Sequence, residues 1–202
     1  MAIVLPVHGS LLWDTPLDLL IRHLASGGFL PNDHGYLNWS TDPANCTGGA
    51  NPAAGSVRMV KLPRLPQGYT ISTVAAFVST AGVSLTAGQC FAGIYDSTGT
   101  RQGVTADQSA VWNTTGLKNM ALTVPYAVPT NTDMWAALLY NGTSCSFAVA
   151  SSVANFNDVF NANLSAATAR YTIGPSAPTP LPASITMASR TNSSQSTWMA
   201  VA

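Results

Sequence analysis

The chain has 202 residues and a mass of 21.0 kDa, the size of one domain with a short arm, which leaves no room for a multidomain enzyme. Only 8% of residues are charged, the net charge is zero and no run of basic residues occurs, which argues against nucleic acid or an anionic membrane as partner. All eight acidic residues are Asp and only two of the eight basic ones are Lys, so the residues that populate exposed helix faces are nearly missing and long solvent-facing helices are excluded.

Met1 to Ser10 has no basic n-region and Pro6 breaks its apolar stretch; no window reaches the ~18 apolar residues of a membrane span. The expectation is a soluble chain without a secretory signal, with its six Asn-x-Ser/Thr matches unglycosylated. Thr15 is a plausible N-cap, Pro16 suits the first helical position, and Leu17, Leu20, Ile21 and Leu24 recur at helical spacing before the Gly27-Gly28 stop. This predicts a helix from about Pro16 to Ala25 within an arm spanning residues 1–31. A helix so short and so apolar must dock, either on its own domain or on a partner or neighbouring copy.

From Phe29 to Ala54 the chain reads as a connector, with Tyr36 to Ser40 as one strand candidate. Ser (20), Thr (22), Asn (13), Gly (16) and Pro (13) together describe many short strands joined by turns. Apolar and β-branched runs follow at Val57–Leu62, Thr70–Ser79, Cys90–Tyr95, Lys118–Val124, Met134–Tyr140 and Ser144–Ala150. Met134–Tyr140 is apolar on both faces and is predicted to be central. Asp96-Ser97-Thr98-Gly99 and Asn141-Gly142 are hairpin signals, so antiparallel pairing is expected across both. Asn155 to Pro182 reads as a long loop; Ser184–Ala188 and Thr197–Val201 read as terminal strands. No strand leads into a convincing helix. The predicted fold is an all-β, antiparallel, jelly-roll-like β-sandwich over residues 32–202, preceded by the arm and its one helix.

Chemistry is not signalled. The chain has no nucleophile elbow, zinc-protease motif or phosphate loop, and it has no Glu, the commonest general acid of glycosidases. The Asp residues sit mostly at turns, as Asp96 and Asp42 do, so no catalytic residue, cofactor site or metal site is predicted. Asp33, His34 and Cys46 match no ligand spacing. Cys46, Cys90 and Cys145 form no C-x-x-C pair and read as buried thiols, with Cys90 and Cys145 the pair that a fold could bring together. Among the aromatic residues Trp135 and Trp198 lie inside strands and read as packing. Trp112, in a loop, and Tyr171 are the candidates for a receptor-facing, sugar-stacking role.

Leu85-Thr86-Ala87-Gly88-Gln89, Phe91 to Gly99, Thr105-Ala106-Asp107-Gln108, Trp112, Thr115 to Lys118, Met120-Ala121-Leu122 and Asn141-Gly142-Thr143 follow one another in an order and spacing that resembles a module of virion proteins of tailed bacteriophages of actinobacteria. The resemblance covers about Asp33 to Phe147, and Trp13 to Leu17 resembles the segment with which such proteins begin. It implies a non-enzymatic structural protein of the virion surface, made in the host cytoplasm. The favoured form is a minor tail or appendage protein held to the tail or baseplate by its arm through Leu17, Leu20, Ile21 and Leu24. The alternatives are a head decoration protein bound to the major capsid protein and a receptor-recognition module for host cell-wall glycan. A homo-oligomer, with a trimer as the common appendage state, is the expected assembly.

Overall fold

The computed structural model describes residues 29–150, 157–176 and 180–202. The expected helix and the arm residues Leu17, Leu20, Ile21 and Leu24 lie outside them. Among the described residues no helix is long and apolar enough to cross a membrane.

Twelve strands form two antiparallel six-stranded sheets among the described residues. They are β1 (Asn38–Trp39), β2 (Gly48–Ala50), β3 (Ser56–Leu65), β4 (Thr70–Val83), β5 (Phe91–Asp96), β6 (Arg101–Val104), β7 (Gly116–Ala127), β8 (Thr132–Leu139), β9 (Ser144–Val149), β10 (Tyr171–Ser176), β11 (Thr191–Asn192) and β12 (Met199–Val201). The first sheet runs β1-β12-β4-β9-β2, with β7 also on β4; the second runs β11-β10-β3-β8-β5-β6. Ala75 of β4 registers with Asn119 of β7 and with Ala200 of β12, so those two strands flank β4 on opposite sides. A bridge between Thr105 and Leu122 joins the sheets along the β6 and β7 edges.

The alternation of side chains along each strand sorts residues between faces. Val74, Ala76 and Val78 of β4, Met120 and Leu122 of β7, and Phe147 of β9 meet Leu62, Ile94, Met134, Ala136 and Leu138 of the other sheet in the main core. The opposite face of the second sheet carries a further cluster of Val57, Met59, Tyr95, Trp135, Ala137 and Leu139. Leu181, Ile185 and Met187 cover that cluster, so β8 is apolar on both faces because both are buried. The strap is tied down by Tyr95 Oη donating to Pro182 O at 2.6 Å and by Ile185 N donating to Gly99 O at 2.8 Å. Arg190 stacks on Trp135 with its guanidinium carbon 4.9 Å from the ring centroid and donates to the carbonyls of Ala166, Ala167 and Met187.

The antiparallel sandwich expected from the sequence is present, with β8 central; the strand order does not establish jelly-roll connectivity. The Asp96–Gly99 hairpin joins β5 to β6 as expected. Asn141-Gly142 does not make a hairpin. Both edges of β8 are already taken by β3 and β5, and β9 pairs with β4 and β2, so this turn carries the chain from one sheet to the other. The strand candidate Tyr36–Ser40 holds β1, paired with β12, and the rest of the expected connector contains a strand that was not expected, β2, paired with β9. The expected loop between Asn155 and Pro182 contains β10, which pairs with β3, and a helical turn at Asn157–Phe160. Ser184–Ala188 is not a strand: only a bridge from Ser184 to Thr100 precedes a 3-10 turn at Met187–Ser189, because the segment packs across a sheet face.

Candidate functional site

The two outer faces of the sandwich are treated differently. The strap covers that of the second sheet, whereas among the described residues that of the first sheet is covered only in part, by Tyr36, Trp39 and Trp198 over Ala75, Ala148 and Ala200. Beside this small cluster an open groove of about 620 Å³ remains. The loops around the 3-10 turns Pro31–His34 and Pro43–Asn45 contribute His34, Tyr36, Pro43 and Cys46 to it. The strands contribute Gly48 and Gly49 of β2, Phe77 and Ser79 of β4, Leu117 of β7 and Ala148 of β9, and Trp198 stands just before β12.

Phe77 and Leu117 are directly opposed across the β4–β7 pair, and both are exposed, by 41% and 49%. Such a cross-strand apolar pair normally stabilises a covered face. Tyr36, Trp198 and His34 join Phe77 as the aromatic part of the lining; the Tyr36 and Trp198 rings meet edge to face at 6.0 Å. No Asp, Lys or Arg lines the groove.

Three of its polar side chains are engaged with the protein, whereas His34 makes ring contacts to Phe29 and Trp39. Tyr36 Oη donates to Asn119 Oδ1 at 3.2 Å, Ser79 Oγ to Ser146 O at 3.1 Å and Trp198 Nε1 to Thr41 O at 3.1 Å. Burial, aided by the charge of Asp42, pushes the Cys46 thiol up to about 11, so at neutral pH it is almost wholly protonated and reacts slowly. A sugar would need free donors and acceptors beside the rings. The groove offers mainly apolar surface, with the His34 ring as a polar group at its side.

Trp112 and Tyr171 do not face outward. Trp112 is fully buried in the main core, edge to face with Phe147 at 5.1 Å, and its Nε1 points at Met120 Sδ at 3.2 Å. Tyr171 opens β10 and is 4% exposed, packed on Phe160. A loop position misled the reading for Trp112: the loop folds inward, with Trp112 N donating to Gln108 O at 2.9 Å, because an indole of that size gains most by filling the space between the sheets. Of the groove residues, none was predicted. The available signal was Val74 to Val78, apolar at successive positions, which marks a strand with both faces apolar.

Asp96 and Asp107 hold turns and loops in place, and Asp133 ties β8 to β3. Burial alone would raise the Asp96 carboxyl, but hydrogen bonds from Thr98, Thr100 and Gln102 outweigh it and hold it below the usual range. Asp107 is held low in the same way by Ser109, Gly88 and Cys90, and Asp133 by Lys61 and Arg64 at 2.7 Å each. All three cysteines are free thiols, Cys90 and Cys145 buried and Cys46 half-buried. Among the described residues no group of three or more His, Cys or Asp side chains could hold a metal. A comparison with protein-family models finds no match to the chain, and a comparison with curated proteins finds none.

Proposed function

We propose that this chain is a non-enzymatic structural protein of a tailed-bacteriophage virion, a minor tail or appendage component that displays its β-sandwich outward and is mounted by its N-terminal arm. The virion context rests on the resemblance of the segment from Asp33 to Phe147. The single structural observation in its favour is the apolar groove that the described residues leave open on the first sheet: Phe77, Leu117, Trp198 and Tyr36 offer a surface suited to a polypeptide, with no Asp, Lys or Arg in the lining. Burial of Trp112 and Tyr171 takes away the two aromatics named for the glycan-recognition alternative.

Gold labelling of intact particles with an antibody to the chain, viewed by electron microscopy, tests the reading. Label at the tail or its appendages is the expected result. Label distributed over the head would replace it with the decoration role on the major capsid protein, and particles that carry no label and none of the chain would overturn the virion assignment.

A further inference from the structure

The described chain begins at the rim of the groove. Phe29 is 65% exposed and sits edge to face with His34 at 5.7 Å, and His34 both lines the groove and packs on Trp39 at 5.4 Å. The 3-10 turn that follows is held by Leu30 N donating to Asp33 Oδ2 at 2.8 Å and by Tyr36 N donating to Pro31 O at 2.9 Å, so this entry point is a fixed part of the sandwich. Leu24 lies five residues earlier, and five extended residues reach at most about 17 Å.

Residues 16–25 carry an apolar stripe and only two charged side chains, Asp18 and Arg22. As a helix they would be about 15 Å long and would place Leu17, Leu20, Ile21 and Leu24 on one side. Such a segment is too short to be stable alone in water and needs an apolar surface to rest on. The groove is such a surface, within reach of the tether and without a charge of its own. A short tether holds a segment beside its site at roughly millimolar effective concentration, which lets even a weak apolar contact fill the groove.

We infer that the groove is the docking site of the chain's own residues 16–25, seated on the same molecule through Leu17, Leu20, Ile21 and Leu24. The sandwich then covers the arm before assembly, and a particle partner that takes the arm competes with the groove for it. The inference goes beyond the virion reading and is independent of it, since it concerns the purified chain with no particle present.

The 202-residue chain supplies two native reporters. Cys46 lines the groove, while Cys90 and Cys145 are buried and serve as internal controls for unfolding. Arg22 is the only Lys or Arg before Arg58, so tryptic cleavage of the arm occurs at one place. Alkylation of Cys46 by N-ethylmaleimide should be slow in the unaltered chain at every protein concentration. It should rise about tenfold in the double variant Leu20→Asp/Ile21→Asp, the protection expected of a segment docked at least about nine-tenths of the time. The substitution Gly48→Trp fills the groove from its own side, for a Cβ there meets nothing within 4 Å, and should speed cleavage after Arg22 by a similar factor. Unchanged rates in both variants would overturn the inference. Protection of Cys46 that disappears on dilution would show that a second copy supplies the segment, and alkylation of Cys90 or Cys145 in the double variant would show that the segment holds the core together; either would overturn docking on the same molecule.

Discussion

Trp112 illustrates how one side chain's role depends on where its loop goes. It fills the space between the sheets against Phe147 and Met120, and nothing of it reaches solvent. Trp112→Ala should therefore cost about 3–5 kcal/mol of stability, the range for deleting a buried Trp, measured by urea unfolding, rather than weaken binding in a protein of unchanged stability. Asp133 shows the opposite situation, a partly exposed charge with a structural task between Lys61 and Arg64. Its folded carboxyl is held below the ordinary value, so the unfolded chain binds the proton first as pH falls. The stability it contributes is present above about pH 4, the ordinary Asp value, and is lost as pH falls through the lower folded value. Asp133→Asn should lower stability at pH 7 by about 1 kcal/mol and flatten the decline of Tm between about pH 4 and pH 2, followed by calorimetry.

At the scale of elements, the β5–β6 hairpin and the strap are one construction. Gly99 has a positive φ of 86°, which only glycine adopts freely, and a Cβ there would overlap the carbonyl oxygen of Ile185, whose N–H is bonded to Gly99 O. The Asp-Ser-Thr-Gly turn thus closes a hairpin and also leaves room for the strap that covers Trp135 and Tyr95. Gly99→Ala should cost about 2 kcal/mol or more, with backbone strain and overlap both contributing. Amide exchange should show the loss concentrated in residues 181–189; uniform loss across both sheets would contradict this coupling of turn and strap. The turn at Asn141-Gly142 has the same kind of sequence and a different outcome, because hydrogen bonding across a turn requires free edges on both flanking strands, and β8 has none.

For the whole molecule, the two outer faces explain one another. Both sheets have apolar residues on the outside, at Trp135, Ala137 and Leu139 of β8 and at Ala75 and Phe77 of β4. One face receives a cover from the segment 181–190 and is closed by Arg190, whose own burial pushes its guanidinium down to about 10. The other is left with a groove beside Phe29. The all-β class, the main strands and the central place of β8 were legible in the sequence because alternation and turn residues are local signals, read within a window shorter than ten residues. Strand β10, the short strand β2, the passage between sheets at Asn141-Gly142 and the inward turn of Trp112 were not, since each depends on which distant edge or face is vacant. The groove belongs with these. Phe77 and Leu117 become a surface only when β4 and β7 pair in register and no segment of the described chain lies over them, and that is a property of tertiary packing, which local sequence patterns do not encode.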